Sequence, residues 1–168
     1  MKVRSRHNLA AFTLVELLMV MIVITIIVAL VAPSLSQFSA GRRNQDTATQ
    51  FIALANYART QSIAEARVYR LSVDTVHKTL ALTAAYQGTF QRPSNDFGDP
   101  YQWPMDINAE VDMPQHTDGV YVDFRPNGRN DAGRIWLTDR LGGVIEVACE
   151  TATEQFHILS ADEIAAEQ

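Results

Sequence analysis

The sequence predicts an α+β fold: a long, kinked N-terminal helix, apolar in its first half and amphipathic in its second, packed on a C-terminal antiparallel β-sheet domain. Three observations carry this. Residues 12–32 form a run of apolar character with one charge, Glu16. Residues 44–67 repeat apolar side chains at three- and four-residue steps, the spacing of one helix face. From residue 68 onward, short alternating stretches are separated by clusters of Gly, Pro, Asn and Asp, the pattern of strands and turns. The chain therefore divides into a basic start (1–11), an apolar helical half (12–33), an amphipathic half (34–67) and a β-rich domain (68–168). Within that domain, residues 86–119 are expected to be a long, mostly loop stretch with one short strand at most.

The apolar run sets the terms for the rest. As a helix, its 21 residues cover roughly 32 Å, the thickness of a bilayer's hydrocarbon core. A carboxylate inside such a segment costs about 2.5–3.5 kcal/mol at the centre, so Glu16 is a functional residue or an interfacial one. Its place one turn into the helix suits an anion, because the helix dipole is positive there. Before the run stand Lys2, Arg4 and Arg6, a basic start like that of a secretory signal. The small pair Ala10-Ala11 comes before the apolar run instead of after it. A cut there leaves the helix on the mature chain. Pro33 is expected to kink the helix without ending it, since helical patterning resumes beyond it. In the amphipathic half, Ala48, Phe51, Ile52, Ala55, Ala58, Ile63 and Ala66 form the stripe, opposite Gln45, Asp46, Gln50, Asn56 and Arg59. The helix is expected to run to about Arg67.

Strands are expected at 68–73 and 79–85 as a hairpin, then at 120–124, 134–138, 144–149 and 155–159, with 160–168 as a short helix or frayed end. The turn at Arg125-Pro126-Asn127-Gly128 and the pair Gly142-Gly143 separate the middle strands. Phe90, Phe97, Tyr101 and Trp103 in the long loop are read as packing residues. Cys149, the one cysteine, is read as a small buried apolar residue in a strand.

Residues 11–18, Ala-Phe-Thr-Leu-Val-Glu-Leu-Leu, resemble the prepilin cleavage and methylation motif of type IV pilins and type II secretion pseudopilins. The resemblance implies a pilin-like fold. It implies that a prepilin peptidase cuts between Ala11 and Phe12, with Ala11 standing where the family usually has Gly, and methylates the new Phe12 amine. It also implies that Glu16 pairs with that amine on a neighbouring subunit during filament assembly and that Pro33 is the family's kink. The stretch Val122-Asp123-Phe124-Arg125-Pro126-Asn127-Gly128-Arg129, followed by Ile135-Trp136-Leu137-Thr138-Asp139 and Val144-Ile145-Glu146-Val147, resembles the C-terminal domain of the GspH/FimT family of minor pseudopilins. The implied partners are other pseudopilins or pilins through the N-terminal helix, the prepilin peptidase and an inner-membrane assembly platform. The implied location is the inner membrane, crossed once, with the N-terminus cytoplasmic and the domain periplasmic. The basic leader agrees with that orientation.

Composition and motifs narrow the alternatives. The formal net charge is −5, and removing the leader's three basic residues leaves 11 against 19 acidic, or −8. Such a chain is a poor non-specific partner for nucleic acid, so DNA binding is not expected. Arg125, Arg129, Arg134 and Arg140 alternate with Asp123, Asp131 and Asp139, which reads as a mixed solvated face. Residues 95–99 hold oxygen ligands near a Gly but lack the EF-hand pattern and read as a solvated turn. No cofactor, metal or catalytic constellation is expected. The reading is a non-catalytic minor pseudopilin of the type II secretion pseudopilus. The alternatives are a minor type IV pilin in pilus biogenesis or DNA uptake, and a membrane-tethered periplasmic enzyme or binding domain.

Overall fold

The computed structural model describes residues 14–159, with side chains described for 14–28 and 41–159. The chain divides into two compact units, Met1–Phe38 and Ser39–Gln168. A single 51-residue helix, α1 (Leu14–Ala64), contributes to both. In the first unit the described residues all belong to α1. The helix is unbroken through position 33, and the side chains around the expected kink lie outside the described residues.

The second unit packs residues 44–64 of α1 against two antiparallel sheets. The strands are β1 (Tyr69–Asp74), β2 (Thr79–Tyr86), β3 (Thr89–Gln91), β4 (Tyr101–Gln102), β5 (Asn108–Asp112), β6 (Gln115–His116), β7 (Gly119–Phe124), β8 (Gly133–Thr138), β9 (Val144–Cys149) and β10 (His157–Ile158). One sheet has the order β3-β2-β1-β7-β6 with β4 also on β2, and the other the order β10-β9-β8-β5. The β1–β2 hairpin runs from Tyr69↔Ala84 to Asp74↔Thr79. Alternation sets which side faces in: Tyr69, Leu71 and Val73 on β1 and Leu80, Leu82 and Ala84 on β2 are all buried, as period-two strands require. They meet Ala48, Phe51, Leu54, Ala55 and Ala58 of the helix, with Ile135, Leu137 and Val147 from the second sheet and Phe156 just before β10 completing one core.

Three expectations need correction. The helix ends at Ala64, not Arg67, because Ala66 takes a left-handed conformation (φ 52°). The Arg67 N–H then reaches back to the Ser62 carbonyl at 3.2 Å, a left-handed helix cap. The buried stripe includes Leu54 and excludes Ile63, which is exposed. In that last turn buried Ser62 faces the chain instead, its hydroxyl 2.8 Å from the Arg59 carbonyl and 3.2 Å from that of Arg125. Residues 86–119 hold more than one short strand: β3, β4, β5 and β6, with a 3-10 turn, Asp96–Gly98. These strands are short and polar. β3 and β6 are hairpin partners of β2 and β7, through Tyr86↔Thr89 and His116↔Gly119, whereas β5 pairs along its whole length with the more distant β8, from Asn108↔Thr138 to Asp112↔Arg134. Trp103 of this stretch is fully buried in the core, and Phe97 stacks on Tyr57 with ring centroids 4.1 Å apart.

The 125–128 turn shows why its sequence is what it is. Gly128 has φ +78°, where a side chain would be strained. Its N–H donates to the Arg125 carbonyl at 2.9 Å, and the Arg125 N–H donates to the Arg129 carbonyl at 2.8 Å. The Asn127 side chain accepts the Arg129 N–H at 3.1 Å.

Candidate functional site

The candidate site begins on the first stretch of α1. Every described side chain from 14 to 28 is exposed, and the large apolar ones range from 47% at Val20 to 80% at Leu14. Thr25 is made compatible with this apolar surface by donating its hydroxyl to the Met21 carbonyl at 2.8 Å, so the polar group is satisfied within the helix. Glu16 is the acidic residue of the first turn and is exposed. Ala11 and Phe12, the expected processing residues, lie outside the described residues. Among the described residues no helix is long and apolar enough to cross a membrane. The described side chains of the apolar run are those of 14–28.

The second stretch of α1 is fixed by a polar bracket that the sequence pattern did not reveal. Asn44 is buried and donates its Nδ2 to the Leu137 carbonyl at 2.9 Å and the Gly143 carbonyl at 3.0 Å. Arg43 meets Asp106 at 2.7 Å. About four turns of helix further on, Arg59 donates to the carbonyls of Glu154 (2.6 Å) and Thr153 (2.7 Å) and to Asn130 Oδ1 (3.3 Å). Asn130, itself buried, passes the contact to Cys149 Sγ at 3.1 Å. Burial pushes the Cys149 thiol up from its ordinary value, so it stays protonated and donates to the Thr151 carbonyl at 3.2 Å. Cys149 therefore sits as expected, buried at the end of a strand, and also takes part in this network.

Three loops lie at the end of the sheets nearest Arg43 and Asn44. The β1–β2 turn is tied to the 103–107 loop because the Lys78 ammonium donates to the carbonyls of Met105 (2.6 Å) and Ile107 (2.7 Å). The β8–β9 turn is built around Asp139, whose Oδ1 accepts the N–H groups of Leu141 (2.8 Å) and Gly143 (3.0 Å). A Cβ on Gly143 would stand 2.8 Å from that carboxylate, so a larger residue there would have to push the Asp139 side chain aside. In the β1–β2 turn, Asp74 accepts the N–H groups of His77 (2.8 Å) and Val76 (2.9 Å). The His77 N–H, the His77 ring and the Val76 N–H together hold its carboxyl below the usual carboxylate range, against a small opposing effect of burial.

On the outward side of the larger sheet, Arg70 lies between the rings of Phe90 (3.9 Å) and Tyr121 (3.5 Å) and forks onto Asp123 at 2.8 and 3.1 Å. Of the basic residues expected on a mixed face, Arg125 pairs with Asp131 at 2.7 Å and Arg134 with Glu146 at 3.2 Å. Arg129 and Arg140 are exposed. In the 95–99 stretch, Asn95 caps the 3-10 turn by accepting the Phe97 N–H. Among the described residues no group of three or more His, Cys, Asp and Glu gathers as a metal site would require.

No protein-family model matches the chain, and no curated protein matches it by sequence. Solved structures do. The minor pseudopilin EpsH of the type 2 secretion system of Vibrio cholerae aligns with a TM-score of 0.61 at 9% identity, covering 70% of this chain and 97% of EpsH. The type IV minor pilin FimU of Pseudomonas aeruginosa aligns with a TM-score of 0.56 at 14% identity, covering 74% of this chain and 94% of FimU. The chain thus has the pilin-like α+β fold found in a minor pseudopilin and a minor type IV pilin.

Proposed function

We propose that the chain is a non-catalytic minor pseudopilin, a structural subunit of a type II secretion pseudopilus. One observation carries this most: an apolar helix segment, exposed on every side and bearing one early carboxylate, is joined to a domain shaped like that of EpsH. Residues 14–28 expose thirteen large apolar side chains. At roughly 1.5–3 kcal/mol for full burial of each, and with about half of each exposed, moving them out of water is worth on the order of 10–20 kcal/mol, as much as the ~5–15 kcal/mol that holds a whole domain folded. Water is therefore not the resting environment of this segment. A bilayer serves before assembly, and the packed helices of sister subunits serve after it.

In this reading the prepilin peptidase cuts between Ala11 and Phe12 and methylates the Phe12 amine, which keeps its positive charge. Glu16, four residues on, neutralises such an amine on a neighbouring subunit within the apolar interior. Pro33 kinks the helix as it leaves the bilayer. The inner-membrane assembly platform receives the subunit, whose domain lies in the periplasm and faces outward in the filament. Intact mass of the membrane-extracted protein tests the first step. The expected mass begins at Phe12 with one added methyl group, and a mass that retains Met1 rejects the reading in favour of a simple tether.

The likeness to FimU supports a second reading, a minor type IV pilin. The two readings share every N-terminal step and separate on a DNA-uptake role. Binding of the purified full chain to double-stranded DNA at moderate salt favours the pilin, and no binding favours the pseudopilin.

A further inference from the structure

We propose that the end of the domain next to Arg42 and Arg43 is a membrane-contacting surface that rests on the leaflet its own N-terminal helix crosses. This rests on the reading of residues 12–32 as a membrane helix.

Among the described residues after Ser39, five large apolar side chains are more than half exposed: Val76, Met105, Val144, Ile63 and Leu141. Four of them stand at one end of the molecule. The strand registers put them there. Asp74↔Thr79 closes the β1–β2 turn, Asn108↔Thr138 starts β5 beside the last residue of β8, and Thr138↔Val144 opens β9. Lys78 ties Val76's turn to Met105, and Asn44 ties the Leu141 turn to the helix. The four tips thus ring the helix where it enters the domain.

Charge selects the same end. The segments 41–46, 74–78, 104–107 and 139–144 hold four basic residues and four acidic ones. The rest of 33–168 holds seven basic and fourteen acidic. A bilayer containing anionic lipid repels the other surfaces and tolerates this one. Arg42 and Arg140, both exposed, can lay their stems along the apolar boundary and keep their guanidinium groups among the headgroups.

The occupant follows from the tether and from the spacing of the tips. Ala32 and Arg42 are ten residues apart, so the chain holds this surface within about 35 Å of the bilayer whatever its path. At that range the local lipid concentration is high and weak contacts suffice. The apolar tips stand singly on separate loops between polar residues, which suits shallow insertion among headgroups. A protein partner requires a continuous packed patch of some 800 Å².

The test uses the full chain in vesicles of phosphatidylethanolamine and phosphatidylglycerol carrying a headgroup-nitroxide lipid. Single thiols for a fluorescent maleimide are introduced as Met105→Cys, Val144→Cys or Thr89→Cys. Buried Cys149 stays unlabelled. Thr89 pairs with Tyr86, the far end of β2 and seven residues from Thr79, so it lies roughly 23 Å away along the strand. Quenching at 105 and 144 at least twice that at 89 is expected, and Val76→Asp with Leu141→Asp should bring the 144 probe down to the level of 89. Equal quenching at all three sites overturns the proposal while the helix still resists alkaline carbonate. A chain stripped off by carbonate overturns the anchor reading as well. A difference that vanishes on tenfold dilution of protein into lipid assigns the surface to contact between copies and also overturns it.

Discussion

Helix α1 carries a different kind of surface in each of its two stretches. From 14 to 28 its apolar residues point in every direction and all are exposed. From 44 to 64 they lie on one side, and Ala48, Phe51, Leu54, Ala55 and Ala58 are buried. Helix propensity does not account for the difference, since nine of the fifteen residues from 14 to 28 are β-branched Val, Ile or Thr, middling helix formers, and the stretch is helical all the same. What differs is where the partner comes from. The second stretch finds its partner in the same chain, so its stripe is narrow and the polar residues beside it bind named carbonyls. The first has no such stripe, and an all-round apolar helix belongs inside a bilayer or a bundle.

The largest expected effect breaks the first stretch without touching the second. Glu16→Leu should lower incorporation into filaments at least a hundredfold. The basis is the cost of about 3–5 kcal/mol for removing one partner of a buried charge pair. The thermal midpoint of the domain should not move. Crosslinked subunits recovered from sheared filaments measure the first quantity and calorimetry the second. Normal incorporation rejects charge pairing as the role of Glu16.

Next comes the reverse experiment. Phe51 is fully buried and meets the edge of Phe156 with ring centroids 5.2 Å apart. Phe51→Ala should destabilise the domain by about 3–5 kcal/mol, read by denaturant unfolding of the full chain in detergent. Val23→Ala, with its side chain exposed, should leave that unfolding curve unchanged. If both variants shift it equally, the two stretches are one cooperative unit and the contrast fails.

The bracket gives smaller effects. Asn44→Ala leaves the Leu137 and Gly143 carbonyls without their side-chain donor and should cost about 1–3 kcal/mol. Arg59→Gln should cost a similar amount and speed hydrogen exchange in the 151–154 turn, whose Thr153 and Glu154 carbonyls it holds. An Asn44→Ala variant as stable as the parent would show that the stripe alone seats the helix.

These residues also mark where sequence reading stopped. The major strands were legible because β1, β2, β7, β8 and β9 alternate or run apolar between clear turn residues. The helix was legible because 3.6-residue spacing persists from Ala48 to Ala58. Asn44 and Arg59 were not legible. A polar residue on a helix normally faces water, and nothing local tells that a carbonyl from β8 or from the 151–154 turn will meet it. Strands β3 to β6 were missed for a related reason. Two to five mostly polar residues carry little periodicity: β3 and β6 are short returns onto the adjacent β2 and β7, and the pairing of β4 and β5 is decided by β2 and β8, which lie further off in the chain. Of the residues expected to serve processing and assembly, Glu16 lies on the exposed first turn, position 33 lies within α1, and Ala11 and Phe12 fall outside the described residues.

The smallest effect concerns the β1–β2 turn at the end of the domain assigned to the membrane surface. The Asp74 carboxyl is held below its usual range first by the backbone N–H of His77, then by the His77 ring. A carboxylate depressed in the folded state adds stability that is fully present above its unfolded value, about 3.9. That stability is lost as pH falls through the lower folded value. Asp74→Asn should therefore slightly lower the domain's midpoint at pH 6, and the gap to the parent should close as pH is taken down toward 3. The side chain is 45% exposed, so the shift will be small and weakened further by salt. A gap that stays constant across that range would mean the turn depends on the shape of Asp74 and not on its charge. The loop carrying Val76 would then be set by backbone geometry alone.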